Sequence, residues 1–217
     1  MTQDTIDKLR KYAALLGAAN EKARLTGPSD PDTLFDEHIS DALEGLRFLP
    51  RGASFVDIGT GGGLPGLVWC ICRPDSRGVL LDSIGKKIAL LAGMADELGC
   101  ANAVPVCMRS EDFARTRRES FDAAVARAVA HSCVLAEYMS PLVAPRGSLI
   151  AFKGPGASEE LDIPESSWGR LGLSKPSVHP YGIAGKERLI IIWEKKGECP
   201  ARYPRKPGDA AKKPWWQ

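Results

Sequence analysis

After Pro50 the sequence alternates short apolar runs with stretches of helical periodicity, and this alternation constrains the fold more than any other feature. Five such runs alternate with the helical stretches, at residues 53–58, 78–82, 103–107, 121–126 and 148–152. A helix between two strands returns the chain to the same end of the sheet, so the strands lie parallel and their crossover connections are right-handed. Two later runs, 175–181 and 188–195, have no clear helix between them and predict an antiparallel hairpin. The predicted fold class is α/β, a Rossmann-like, mostly parallel sheet closed by that hairpin.

Two helical patterns precede the first strand, over roughly residues 5–23 and from Asp30 onward. Asp30 directly before Pro31 predicts an N-cap followed by a first-turn proline. Toward the other end, residues 201–217 contain five basic side chains against Asp209, with several prolines, so basic charge concentrates there. We therefore predict a helical extension (1–50), an α/β domain (51–197) and a basic, Pro-rich C-terminal tail (198–217).

Composition places the chain among ordinary globular proteins, with 44% hydrophobic and 26% charged residues. No apolar run approaches the roughly 20 residues of a membrane span, and the N-terminus lacks the apolar core of a signal peptide. We therefore expect a cytoplasmic protein that does not bind membranes.

The six cysteines form no C-x-x-C pair and the three histidines are far apart, so we expect reduced, mostly buried thiols and no metal site.

Five glycines fall between residues 59 and 66, directly after the first predicted strand. Open α/β sheets bind ligands at the carboxyl ends of their strands, and bare backbone lets a ligand approach a helix N-terminus closely. The spacing of Gly61, Gly63 and Gly66 also matches the dinucleotide fingerprint, with Asp82 at the distance of a ribose-binding acid. The loop is therefore interpreted as a cofactor site, with a merely structural turn as the alternative.

Asp57, just before the loop, distinguishes between two cofactors. A carboxylate about 5 Å from one phosphate charge costs roughly 3 kcal/mol at an effective dielectric of 20. S-adenosylmethionine instead brings a cationic ammonium and sulfonium to this region, which favours it over a dinucleotide. Asp82 then accepts the ribose hydroxyls, unless it is a helix-capping or solvated side chain.

Two further segments follow later strands. Ser110 and Glu111, after the third strand, are candidates for contacts to the adenine ring or for an N-cap with its acidic first turn. Arg127 ends the fourth strand, where its guanidinium suits the methionine carboxylate or a guanine, with a surface salt bridge as the alternative. His38 and Asp41 share a helix face that closes over the site or simply belongs to a structural pair.

Seven motifs occur in the order found in one bacterial family: FVDIGTGGGLPG, LLDSIGKK, RSEDF, ARAVA, FKG, KERLIII and YPRKPG. Over nearly the whole chain, from Asn20 to Gly208, the sequence resembles the glucose-inhibited division protein B family, the small-subunit rRNA guanine-N(7) methyltransferase G group. The resemblance implies a class I S-adenosylmethionine-dependent methyltransferase fold with an N-terminal helical extension. It implies 7-methylguanosine in the helix 18 decoding-region loop of 16S rRNA as the product, on naked rRNA or the small ribosomal subunit.

Residue roles carried over from the resemblance are expectations. The cofactor contacts would be Gly59, Leu64, Ser110, Glu111 and Arg127, with Asp57, Gly61, Gly63 and Asp82 lining the same pocket. Arg127 is the expected catalytic residue. From position in the sequence, and not from the resemblance, the cations expected to meet RNA phosphates are Lys153 and Arg188 at strand ends and Arg202, Arg205 and Lys206 in the basic tail. The alternatives are ordinary strand-end charges and a disordered, solubilising tail. We expect the chain to act as a monomer.

The sequence departs from the family pattern in its N-terminal part. Ala19 stands where the family has tryptophan, and Arg24 where it has asparagine. Leu189 and Ala210 are further departures, and all four affect RNA contact more than cofactor binding. Two alternatives stay open: a methyltransferase for another RNA or a small molecule, and a catalytically silent RNA-binding protein.

Overall fold

The computed structural model describes residues 1–216, and Gln217, the last residue of the predicted tail, lies outside the described residues. The chain divides into two compact units, Met1–Cys107 and the residues from Met108 onward. The predicted division at residues 50 and 197 stays a prediction.

The first unit opens with helix α1, Gln3–Asn20, which begins after the N-cap Thr2. The Thr2 hydroxyl accepts a hydrogen bond from the Thr5 N–H at 3.3 Å, satisfying one of the free donors at the helix start. Leu9, Tyr12 and Leu16 recur every three or four residues and are fully buried. Their spacing gives α1 one apolar face, and burial of each such side chain contributes about 1.5–3 kcal/mol.

A second helical segment covers residues 31–48 and changes its winding along the way. It consists of α2 (Pro31–Thr33), a π-helical stretch (Leu34–Ile39), α3 (Ser40–Glu44) and a 3₁₀ turn (Gly45–Phe48). Asp30 is the N-cap, as predicted: its Oδ2 accepts from the Thr33 N–H at 2.8 Å and from the Thr33 hydroxyl at 2.7 Å. These bonds hold the pKa of Asp30 below its usual value.

The sheet of the first unit has three parallel strands in the order β3-β2-β1. Its elements are β1 (Ser54–Ile58), α4 (Gly66–Cys72), β2 (Arg77–Asp82), α5 (Gly85–Glu97) and β3 (Ala103–Cys107). Phe55 of β1 packs on Trp69 of α4 with ring centroids 5.5 Å apart. The Trp69 indole N–H donates to the Ala42 carbonyl at 2.8 Å, so the second helical segment is tied to α4.

The second unit contains four strands in the order β4-β5-β7-β6. Its elements are α6 (Ser110–Thr116), β4 (Phe121–Arg127), α7 (Ser132–Met139), β5 (Val143–Lys153), α8 (Glu165–Trp168), β6 (Ser177–Ile183), β7 (Lys186–Glu194) and α9 (Asp209–Lys212). β4 and β5 are parallel, whereas β7 pairs antiparallel with both β5 and β6. The five predicted parallel strands and the closing hairpin are thus confirmed.

The C-terminal segment, residues 199–216, folds back onto the second unit. Tyr203, Ala210 and Trp215 are buried, and the Trp215 ring lies 5.6 Å from that of Trp168. The segment is irregular apart from the single turn of α9. The predicted tail is therefore in large part a packed element, although its basic side chains are mostly exposed.

The cysteines are free thiols, as expected, and four of the six are buried. Burial raises the pKa of the Cys70 and Cys133 thiols to about 12. Within residues 1–216, no three His, Cys, Asp or Glu side chains are grouped so that they could hold a metal ion. Within the same residues, no helix has the length and apolar character needed to cross a membrane.

Candidate functional site

The glycine loop, Gly59–Gly66, joins β1 to α4, and Asp57 stabilises it at both ends. Asp57 is fully buried, and its Oδ2 accepts from the Thr60 hydroxyl at 2.7 Å and from the Gly66 N–H at 2.8 Å. The Gly66 N–H is one of the free donors at the start of α4, where a negative charge is favourable. Asp57 therefore has a structural role within the loop, beside the cofactor role predicted for it.

Asp82, the last residue of β2, links that strand to the same loop. It is 9% exposed, its Oδ2 accepts from the Gly61 N–H at 3.1 Å, and its Oδ1 accepts from the Ile84 N–H at 3.0 Å. The prediction of a solvated Asp82 is wrong, and so is the capping alternative, because the N-cap of α5 is Ile84 and no side chain caps this helix. Each carboxylate oxygen keeps a second lone pair, so the ribose hydroxyls of a cofactor suit this side chain.

Two of the loop glycines are required by the packing of the unit itself. A Cβ at Gly66 would lie 2.4 Å from Leu80 Cδ2 and 2.7 Å from Asp57 Oδ2. Gly63 has a φ of +104°, and a Cβ there would lie 2.8 Å from side-chain carbons of both Leu67 and Leu91. The sequence predicts that these glycines let a ligand approach the backbone, but close packing already excludes larger side chains at both positions.

The N-terminal helix contributes a side chain that the motif analysis did not single out. The Tyr12 hydroxyl donates to the Gly62 carbonyl at 2.9 Å, so α1 holds the middle of the glycine loop. Asn20, at the end of α1, accepts from the N–H groups of Leu25 and Thr26 at 2.7 and 3.0 Å. The only signal for Tyr12 in the sequence is its place on the apolar face of α1.

The candidates His38 and Asp41 lie in the second helical segment of this unit. His38 is half-buried in the π-helical stretch, and Asp41 is 6% exposed in α3. Single π-helical turns inside helices occur frequently at functional sites. The assignment of this pair to the site stays a prediction.

Ser110 and Glu111, in the second unit, form a buried hydrogen-bonded pair. Ser110 is the first residue of α6, the N-cap is Arg109, and the Ser110 hydroxyl donates to Glu111 Oε2 at 3.1 Å. The capping interpretation of Ser110 is therefore wrong. Glu111 is 5% exposed, and its Oε1 accepts from the Gly208 N–H of the C-terminal segment at 3.2 Å.

Lys153 has partners within the second unit. Its ammonium lies 2.8 Å from Glu160 Oε2 and donates to the Ala130 carbonyl at 2.9 Å. The same Glu160 oxygen accepts from the N–H and the hydroxyl of Ser132, both at 2.6 Å. The ion pair with Glu160 gives Lys153 a structural role beside the RNA contact predicted for it.

Arg127 ends β4 and is half-buried.

The remaining cations predicted to meet RNA differ in their surroundings. Arg202 and Lys206 are exposed. Arg188 is half-buried on β7, where its guanidinium lies 3.4 Å from the Glu187 carbonyl. Arg205 binds the buried Glu137 carboxylate, with Nη2 2.6 Å from Oε2.

Comparison with known proteins decides the family. Residues 5–190 match the model of the rRNA small subunit methyltransferase G family. The chain belongs to this family. The chain is 39% identical over 223 residues to ribosomal RNA small subunit methyltransferase G of Rubrobacter xylanophilus, covering 98% of the chain and 85% of the relative. Its counterpart in Clostridium perfringens strain 13 is 35% identical over 218 residues, covering 98% and 91%.

Solved structures support the class I methyltransferase fold. A precorrin-6y C5,15-methyltransferase from Geobacter metallireducens has a TM-score of 0.55 at 13% identity, covering 81% of this chain and 92% of that one. TrmN from Thermus thermophilus has a TM-score of 0.55 at 17% identity, covering 72% and 48%. Family and fold together make S-adenosylmethionine the cofactor of this chain. The cofactor prediction is confirmed, while the assignment of individual residues to it stays a prediction.

Proposed function

We propose that the chain transfers a methyl group from S-adenosylmethionine to N(7) of a guanine in the helix 18 decoding-region loop of 16S rRNA. The family match over residues 5–190 carries this proposal, together with relatives whose names describe methyltransferases of small-subunit ribosomal RNA. The base, its N(7) atom and the helix 18 target come from the family resemblance. The substrate is the rRNA itself or the assembling small subunit.

The chemistry of N(7) agrees with the residues of the chain. Guanine N(7) has a lone pair and no proton to remove, so in-line attack on the sulfonium methyl needs no general base. Positioning then supplies the acceleration, on the order of 7–11 kcal/mol. The sequence also lacks the N/D-P-P-Y/F segment that holds an exocyclic amine and the Pro-Cys dipeptide of carbon-five methylation.

The glycine loop and Asp82 suit S-adenosylmethionine. Asp82 accepts a hydrogen bond from the Gly61 N–H and retains lone pairs for the ribose hydroxyls. Asp57 stabilises the loop by accepting hydrogen bonds from Thr60 and Gly66. The other cofactor assignments rest on the family resemblance. They are Gly59, Gly63, Leu64, Ser110, Glu111 and Arg127.

For RNA, exposure favours Arg202 and Lys206 as the phosphate contacts of the C-terminal segment. Arg205 and Lys153 are held by carboxylates of the second unit, so their loss would affect stability as well as RNA affinity. Replacing both Arg202 and Lys206 by Ala should make the plot of log K for RNA binding against log salt concentration less steep. The expected decrease in slope is that of about two lost phosphate contacts.

The test uses methyl-labelled S-adenosylmethionine and small subunits or naked 16S rRNA that lack the modification. One portion of the RNA is digested to nucleosides, and label is measured in 7-methylguanosine. In a second, undigested portion, the modified guanine is located by primer extension after borohydride reduction and aniline cleavage of the strand. Label confined to one helix 18 guanine is expected, with a strong loss in an Asp82→Asn variant. Label at another position, or binding of cofactor and RNA with no transfer by the wild-type chain, would overturn the proposal and favour another substrate or a silent RNA-binding protein.

A further inference from the structure

The C-terminal segment is held to the rest of the second unit by polar contacts at several points along its length. The Cys199 N–H donates to Glu119 Oε1 at 2.7 Å. The Arg118 guanidinium donates to the carbonyl of Cys199, and to that of Tyr203 at 2.7 Å. Farther on, the Trp215 indole N–H donates to the Cys133 carbonyl at 2.8 Å. These bonds fix the segment at its beginning and near its end.

Between these points, Arg205 forms a two-pronged ion pair with Glu137 of α7. Its Nε lies 2.9 Å from Oε1, its Nη2 lies 2.6 Å from Oε2, and its backbone N–H donates to Oε1 at 3.2 Å. Glu137 is fully buried, and the hydrogen bonds to it raise the pKa of Arg205. A buried carboxylate needs such donors, so this pair fixes both the side chain and the backbone of Arg205.

Three residues after Arg205, the segment contacts a predicted cofactor residue. The Gly208 N–H donates to Glu111 Oε1 at 3.2 Å, while the Ser110 hydroxyl donates to Oε2 at 3.1 Å. Each oxygen of the Glu111 carboxylate thus has one donor, and one of the two comes from the C-terminal segment. Because Glu111 is only 5% exposed, few water molecules can replace a lost donor.

We propose that Arg205 is a positioning residue for cofactor binding. Its ion pair with Glu137 fixes the backbone that leads to Gly208, and the Gly208 N–H sets the orientation of the Glu111 carboxylate. This inference rests on the proposed function, since Glu111 is assigned to the cofactor through the family resemblance. The C-terminal segment thereby acts on cofactor affinity, in addition to presenting Arg202 and Lys206 to RNA.

The experiment measures the Kd for S-adenosylmethionine by calorimetry in the full chain. The variants are Arg205→Ala, Arg205→Lys, Glu111→Gln and the double variant Arg205→Ala/Glu111→Gln. Lys212→Ala is the matched control, because it removes an exposed positive charge from the same segment. Thermal unfolding without cofactor establishes that each variant is folded, and Arg205→Lys retains a cation beside Glu137 should the alanine variant fail to fold.

Glu111→Gln is expected to weaken cofactor binding, and Arg205→Ala to raise the Kd about tenfold. Arg205→Lys should be intermediate because it loses the fork of donors, and Lys212→Ala should leave the Kd unchanged. In the Glu111→Gln background, Arg205→Ala should add little, since it acts through Glu111. With RNA held at a saturating concentration, the KM of the Arg205→Ala variant for the cofactor should rise by a factor similar to that of its Kd.

Three results would overturn the inference, and they differ in what else they affect. An unchanged Kd in the folded Arg205 variants, with weaker binding in Glu111→Gln, removes the role of Arg205 and leaves the proposed function intact. Fully additive effects on the Kd in the double variant show that Arg205 acts on cofactor binding by a route that does not pass through Glu111. An unchanged Kd in Glu111→Gln removes Glu111 from the cofactor site and the inference with it, whereas loss of the proposed function would appear in the labelling experiment on the wild-type chain.

Discussion

The Tyr12 hydroxyl donates a hydrogen bond to the carbonyl of Gly62, 2.9 Å away in the buried interior of the first unit. This bond connects the N-terminal helix to the middle of the glycine loop. A Cβ at Gly62 would lie 2.5 Å from Leu16 Cδ1, so α1 also packs directly against the loop backbone. The N-terminal helix is therefore part of the support of the predicted cofactor site.

Replacement of Tyr12 by Phe removes the hydroxyl and keeps the ring. The buried Gly62 carbonyl then loses its donor, which is expected to lower the free energy of unfolding by about 1–3 kcal/mol. A less well-fixed loop should also raise the Kd for S-adenosylmethionine. Urea unfolding and calorimetry measure the two effects. If both stay at wild-type values, the Tyr12 hydrogen bond does not contribute to fixing the loop.

Thr60 provides a matched pair of substitutions for the loop. Its hydroxyl donates to Asp57 Oδ2 at 2.7 Å, and the side chain is 2% exposed. Thr60→Val replaces that donor with a methyl group beside a buried carboxylate, and we expect a loss of about 2 kcal/mol in unfolding free energy. Thr60→Ser keeps the hydroxyl and should lose much less. Equal losses in denaturant titrations of the two variants would show that the hydrogen bond is unimportant.

The fold could be predicted because its signals are local and repeated. Alternation of apolar runs and helices specified the parallel strands, and the missing helix between β6 and β7 specified the closing hairpin. Asp30 and Pro31 likewise marked a helix start that needs only neighbouring residues. The change to π-helical winding over Leu34–Ile39 has no such local signature, so it was not predicted.

The site was predicted less completely, because its support comes from residues distant in sequence. The positions of Asp57 and Asp82 at strand ends follow from the pattern of runs. By contrast, the contact of Gly208 with Glu111 spans 97 residues, and that of Arg205 with Glu137 spans 68. No spacing rule connects such residues, so the folded C-terminal segment was expected only as a basic tail.

Arg127 is the residue on which the predicted chemistry depends most. Replacement by Ala is expected to abolish methyl transfer while the fold survives, because the arginine is assigned to the cofactor carboxylate or the guanine. Label incorporation into 7-methylguanosine measures activity, and thermal unfolding establishes that the fold is intact. Arg127→Lys is the control that keeps the charge but loses the rigid fork, and should recover little activity. Near-normal activity of the alanine variant would remove Arg127 from the site.

The contacts of Glu160 with Lys153 and Ser132 should make the stability of the fold depend on pH. Burial raises the pKa of Glu160, but hydrogen bonds from Lys153 and Ser132 outweigh this effect and bring the pKa below its usual value of 4.5. Because the folded-state pKa is lowered, the stabilisation is present above about pH 4.5 and is lost as the pH falls through the folded-state value. The unfolding free energy of the wild-type chain should therefore decrease more steeply between about pH 5 and pH 3 than that of Glu160→Gln. Urea titrations across this range measure both slopes, and parallel curves would show that Glu160 titrates alike in the folded and unfolded chains.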